Sequence, residues 1–170
     1  MATVPSYVTD SGVTVKLTAT SSMPCRSWSL PAEKSCPASK ASVVKHGESA
    51  VCGSCYAMAG FYRMSNVKDA QASRFAWVMD SLVHNNGDEF VSALVRMISD
   101  DVNERGEPIF RVHDSGDLFN HAYVNAWGRI ADALPGVRLC PKTDPRDGRS
   151  NCEDCRSCFD GSEPVAYLEH

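Results

Sequence analysis

Long hydrophobic runs are absent from this 170-residue chain: no window approaches the roughly 18 to 20 continuous apolar residues of a membrane-spanning helix. Residues 1–20 have no basic start followed by an apolar stretch, so a secretory signal is not expected. Positive charge is also short. Lys and Arg number 17 against 21 Asp and Glu, a net charge of −4 with a pI near 5.7. That balance argues against broad, charge-driven binding to nucleic acid. The densest basic run, Arg138, Lys142, Arg146 and Arg149, is diluted by Asp144 and Asp147. There are no internal repeats and no low-complexity segments. What remains is an ordinary globular composition, 43% hydrophobic and 22% charged, and a length suited to one domain with a real core. Residues 1–167 are read as a single domain. Leu168-Glu169-His170 resembles the start of a C-terminal His tag and is set aside.

Against these absences stand eight cysteines. Cys152-Glu-Asp-Cys155-Arg-Ser-Cys158 spaces three thiols so that they converge on one small object within a single tight turn. Cys52-Gly-Ser-Cys55 repeats the spacing upstream, and Cys36-Pro37 and Cys140-Pro141 are two Cys-Pro dipeptides. In bacterial ferredoxin patterns a Cys followed by Pro supplies a ligand alongside such a run. Unexported thiols stay reduced, and clustered cysteines in a reducing compartment read as metal-binding or catalytic before they read as disulfides. Cys25 sits in a Ser-rich loop with no partner at ligand spacing. It ranks last as a ligand and is expected to be dispensable.

Coarse secondary structure follows from periodicity. Val13 to Thr20 alternates and reads as a strand, whereas residues 21–55 show no period, as expected of a segment organised around a metal. Asn66 is expected to cap a helix whose stripe is Val67, Ala70, Phe75, Val78, Met79, Leu82 and Val83. Asp88 is expected to cap a second helix, with Phe90, Val91, Leu94, Met97, Ile98 and Val102 on one face, broken by Gly106 and Pro108. A strand over Ile109–His113, a third helix over His121–Leu134 and a strand over Val137–Cys140 form a βαβ unit with parallel strands. The fold class is therefore α/β: a small partial parallel sheet with about three helices and a Cys-rich metal-binding loop region. Trp77, Trp127 and the methionines Met58, Met64, Met79 and Met97 are assigned to packing. Tyr56, Phe61, Tyr62 and Arg63 either shield a metal cluster from water or simply pack.

Parallel strands of a βαβ unit end on one edge, where ligands of α/β folds sit. His113, Asp114 and Asp117 should therefore gather beside Cys140, with the terminal thiols a short way downstream. Each of these polar residues is either a metal ligand or a hydrogen-bond partner of one. The bland reading is a strand-end turn with Gly116 at positive φ. Metal ligands are drawn from Cys36, Cys52, Cys55, Cys140, Cys152, Cys155 and Cys158, in one site or two. Zinc prefers four N/S ligands, typically as two C-x2-C pairs, and would leave several thiols unexplained. A [4Fe-4S]-type cluster built on the terminal run plus a remote Cys explains more of them.

Several strings in order resemble the bacteriophage "gene product 88" family. They are Ser29-Leu-Pro-Ala32 leading to Cys36-Pro37, Cys52-Gly-Ser-Cys55-Tyr56-Ala57-Met58-Ala59-Gly60-Phe61-Tyr62-Arg63, and Arg111-Val-His113-Asp114-Ser115-Gly116-Asp117-Leu118-Phe119. The Cys152–Cys158 segment before Val165-Ala166-Tyr167 completes the set. This is a short version: Leu134-Pro135 is followed almost at once by Cys140-Pro141, where the family carries a longer stretch. The resemblance implies phage origin and action in a host cytoplasm, on a host or phage protein, more than it implies a reaction.

Three functions are in view. The first is a viral iron–sulfur protein, redox-active or structural. The second is a zinc-stabilised binding module acting on a host protein. The third is an enzyme: the Cys-Tyr-Ala string and α/β order are similar to radical S-adenosylmethionine proteins, although their usual C-x3-C-x2-C loop is absent.

Overall fold

Ile109–Ser115 (β4) is the strand about which the chain is organised. In the computed structural model, which describes residues 3–19, 25–36 and 55–140, it is the middle of a three-stranded sheet. Ser27–Ser29 (β3) and Arg138–Cys140 (β5) flank it, both parallel to it. The expected βαβ unit is present: β4 leads through a helix at His121–Ala133 (α4) to β5, in the register Ile109↔Arg138, Phe110↔Leu139 and Arg111↔Cys140. A separate antiparallel ribbon joins Ser6–Val8 (β1) to Thr14–Lys16 (β2). The longer strand expected over Val13–Thr20 thus shrinks to β2 plus one bridge, Thr18 to Ser27.

The expectation of about three helices undercounts. The long helices are Ser65–His84 (α2), Asp88–Arg105 (α3) and α4. Ala32–Ser35 (α1) and two 3-10 turns, Tyr56–Met58 and Gly60–Arg63, add short pieces. β3 and α1 fall inside the stretch read as aperiodic. Elements of three or four residues hold barely more than one repeat of the pattern that would announce them, too little to establish a period.

α3 buries Phe90, Val91, Leu94, Met97 and Ile98 as its stripe demands. It begins after Gly87 at φ 77°, so the expected cap at Asp88 is replaced by a glycine turn; Gly106 at φ 72° closes it. α4 is capped by Asn120, whose side chain accepts the Tyr123 N–H at 2.8 Å. α2 departs furthest from expectation. It starts at Ser65 with no side-chain cap, and its buried face is Gln71, Arg74, Trp77, Val78 and Ser81, while Val83 is exposed. Two polar members of that face, Arg74 and Ser81, are bonded. Arg74 Nε donates to the Lys16 carbonyl at 2.9 Å, and its guanidinium lies 5.4 Å from the Trp28 ring centre. Ser81 Oγ accepts the Phe90 N–H at 3.1 Å. Buried polar groups held this way defeat a stripe defined by apolarity alone.

α3 packs against α2, α4 and β4. The core between helices and sheet is aromatic: Phe90 meets Trp28, Trp77, Tyr123 and Trp127 with ring centres 5.9, 5.6, 5.6 and 6.0 Å away. Trp77 and Trp127 are core residues, as expected, and so is Met97. Met58 and Met64 are exposed, against the expectation that they fill space.

Candidate functional site

The sheet is two-faced, and its faces differ in chemistry. Phe110, Val112, Trp28 and Leu139 turn to the helices and join the aromatic core. Strand alternation sends Ile109, Arg111 and Cys140 to the other face. Ile109 accordingly packs not in the main core but against a separate buried cluster formed by Cys25 and Cys140.

A bulge re-aims the end of β4. Ser27 pairs with Arg111 and Ser29 with Ser115, so four steps along β4 match two along β3. Val112 lies in the helix-side core, and the next residue, His113, also turns there, its ring 5.8 Å from that of Tyr123 and 6.0 Å from that of Trp127. Two successive residues on one side reset the alternation. Asp114 therefore falls on the Ser29 face, where its Oδ1 accepts the Ser29 hydroxyl.

Asp114 is the hub of this face. Its main-chain carbonyl accepts the Tyr56 hydroxyl, and its Oδ2 accepts the Tyr62 hydroxyl at 3.3 Å. Two buried guanidiniums stand nearby: Arg111, whose Nε donates to the His113 carbonyl at 2.9 Å, and Arg74. Burial pushes the Asp114 carboxyl above the ordinary carboxylate range, against the pull of the Ser29 hydroxyl, Arg111 and Arg74. Burial, and then the charge of Asp114, pushes the Tyr62 phenol well up, so it remains a donor. Asp117 plays a smaller part: it is half-buried and bonds the Leu118 N–H through Oδ1 at 2.7 Å.

Tyr56 and Tyr62 fasten the segment that follows Cys55 to the end of β4. Their rings meet edge to face, 5.8 Å apart. The tyrosines of this segment pack and bond to Asp114, while Phe61 is 78% exposed. Cys36 directly follows α1, and α1 packs against the turn that Cys55 opens. The carboxyl end of β4 closes on the same place. Gly116 has φ +84°, and a Cβ there would collide with Ser35 Oγ and lie 2.8 Å from Leu30 Cβ. Gly116→Ala should therefore cost at least about 2 kcal/mol, read as a lower midpoint in chemical denaturation. An unchanged midpoint would mean that this approach is loose.

Of the sequence-derived ligands, Cys36 ends α1 and Cys55 opens the Tyr56–Met58 turn, and these two elements pack together near the end of β4. Cys140 lies further back, opposite Arg111, about 13 Å along the strand from Ser115. Cys52, Cys152, Cys155 and Cys158 lie outside the described residues. Among the described residues, no three His, Cys, Asp or Glu side chains gather as a metal site. The three polar candidates separate: Asp114 shares the face of Cys140, His113 faces the helices, and Asp117 caps the following turn. Sequence reading passed over Ser29, Arg74 and Arg111 as partners of Asp114. Only the alternation of β4, corrected for its bulge, would have found them.

The family model described as Gene product 88 matches residues 8–139. The chain belongs to the gene product 88 family. No curated protein and no solved structure matches it. The family match takes in Cys25, Cys36, Cys52, Cys55 and the whole Asp114 hub of this gene product 88 chain. Among the described residues no helix is long and apolar enough to cross a membrane.

Proposed function

We propose that this gene product 88 protein is a phage-encoded iron–sulfur protein carrying a [4Fe-4S]-type cluster in a redox or structural role. Its ligands are drawn from Cys36, Cys52, Cys55, Cys140, Cys152, Cys155 and Cys158. The observation that carries the reading is the Cys152–Cys158 run, three thiols at cluster-binding spacing in a chain with two Cys-Pro dipeptides. Two of the candidate thiols among the described residues support the reading. Cys36 and Cys55 are both half-buried and flank elements that pack together at the carboxyl end of β4. A thiolate there is partly shielded from water, with Asp114, Tyr56 and Tyr62 beside it.

When bound, the cluster supplies one-electron chemistry or a covalent cross-link between distant parts of the chain. The chain's own residues do the positioning. Asp114 holds Tyr56 and Tyr62, and through them the backbone that carries Cys55. The protein is placed in the host cytoplasm, where thiols stay reduced, with an unidentified host or phage protein as partner.

Colour tests this reading. Purified without oxygen, the protein should be brown, with broad absorbance near about 400 nm that bleaches on chelation or oxidation. A colourless, fully metallated protein would replace the cluster with zinc.

A further inference from the structure

Four of the nine exposed large hydrophobic side chains among the described residues crowd into residues 56–64: Tyr56, Met58, Phe61 and Met64. Single exposed apolar residues are ordinary, whereas a run of them marks an interaction site. Phe61 is the most exposed of the nine, and the other three of this run are about half exposed. The backbone holds them together. The Met58 N–H bonds the Cys55 carbonyl at 2.9 Å, and the Met64 N–H bonds the Phe61 carbonyl at 3.1 Å, so Phe61 and Met64 sit one tight turn apart. Lys68, whose N–H bonds the Met64 carbonyl at 3.0 Å, follows one helical turn on. The Tyr56–Tyr62 ring contact and the bonds of both phenols to Asp114 tie the two turns to the end of β4. The surface is therefore ordered before any partner arrives, which lowers the entropy cost of binding.

We propose that Tyr56, Met58, Phe61 and Met64, with Arg63 and Lys68, form the docking surface for a partner protein, and that it takes an acidic segment with an apolar side chain seated on Phe61. This surface deepens the proposed function and rests on it only for the existence of a protein partner.

Charge selects the occupant. Residues 55–68 contain Arg63 and Lys68 and no Asp or Glu, in a chain of net charge −4. Both cations are exposed, and neither pairs with an acid among the described residues. Asp69 comes next but stands about 100° around α2 from Lys68. Beneath the segment, Asp114 is matched by Arg111 and Arg74. An apolar centre with a cationic rim complements an acidic, apolar segment, and Tyr, Phe, Met and Arg are the types that protein interfaces favour. A second copy fits poorly, because a two-fold contact sets the cations of one patch against those of the other. A nucleic-acid strand fits poorly too. Its bases stack on open ring faces, and Tyr56 and Tyr62 already engage each other, which leaves Phe61. Two cations also neutralise little of a phosphate backbone.

The test selects a display library of random peptides against the full chain, purified anaerobically, beside its Phe61→Ser and Arg63→Glu variants. Peptides retained by the wild type alone should carry Asp or Glu beside Leu, Ile, Phe or Trp. One of them, synthesised, should bind the wild type at least about tenfold more tightly than either variant. Equal retention by the variants, enriched peptides without acids, or displacement of the peptide by oligo-dT overturns the inference. The denaturation midpoint of Phe61→Ser should equal that of the wild type; a lowered midpoint means that the chain itself covers Phe61, which also overturns it. Iron and acid-labile sulfide per chain should be unchanged in both variants. Their loss alongside peptide binding would make the segment a wall of the metal site and not a docking surface. Wild-type protein without iron or sulfide contradicts the iron–sulfur reading alone, since the peptide selection does not depend on the metal.

Discussion

Phe90→Ala should cost about 3 to 5 kcal/mol, the full penalty of emptying an aromatic site that cannot collapse. Phe90 is entirely buried at the start of α3 and touches four other aromatic rings, contributed by β3, α2 and α4. No single neighbour can move in without breaking its contacts with the others. A domain of this size is held by roughly 5 to 15 kcal/mol, so the loss approaches the whole margin in an unfavourable case. Denaturant titration at constant metal content checks it. A change under about 1 kcal/mol would mean that the ring cluster repacks freely.

Cys155→Ser should strip the metal and lower the unfolding temperature together. Cys155 is the middle thiol of the terminal run, so no shift of register lets its neighbours replace it. The candidate thiols on the described part of the chain nearest the end of β4, Cys36 and Cys55, lie about a hundred residues upstream. A metal that joins such distant segments contributes to folding as well as to function, because no preformed site exists in the unfolded chain. Metal analysis and a thermal scan on the same preparation read both effects. Full metal content with an unchanged scan would remove the terminal run from the site.

How much of this was legible in the sequence depended on element length and on which rule governed each residue. α3, α4 and the parallel β4–α4–β5 unit follow from period and glycine punctuation, because α3, β4 and α4 each run through several repeats of their pattern. β3 was hidden. Ser27-Trp28-Ser29 is a strand only because β4 lies beside it, and its two serines face the Asp114 side of the sheet, not solvent. The stripe of α2 misled because Arg74 and Ser81 are buried through hydrogen bonds that an apolar count does not register.

The candidate site shows the same division. His113 and Asp114 were visible as a polar string at a strand end, but alternation could not show that a bulge sends them to opposite faces. Cys25 was set aside because linear spacing was the criterion; its neighbour, Cys140, is a product of tertiary structure. The strings that carry the family resemblance, Ser29 to Cys36, Cys55 to Arg63 and Arg111 to Phe119, are the ones that meet around Asp114. That convergence is the physical content of the resemblance.

The central claim is that thiolates of this chain hold an iron–sulfur cluster. Quantifying iron, acid-labile sulfide and zinc in one anaerobic preparation of the full chain tests it most directly. The account predicts iron and sulfide in equal amounts, about four of each per cluster, with zinc well below stoichiometry. Stoichiometric zinc with no acid-labile sulfide would contradict it.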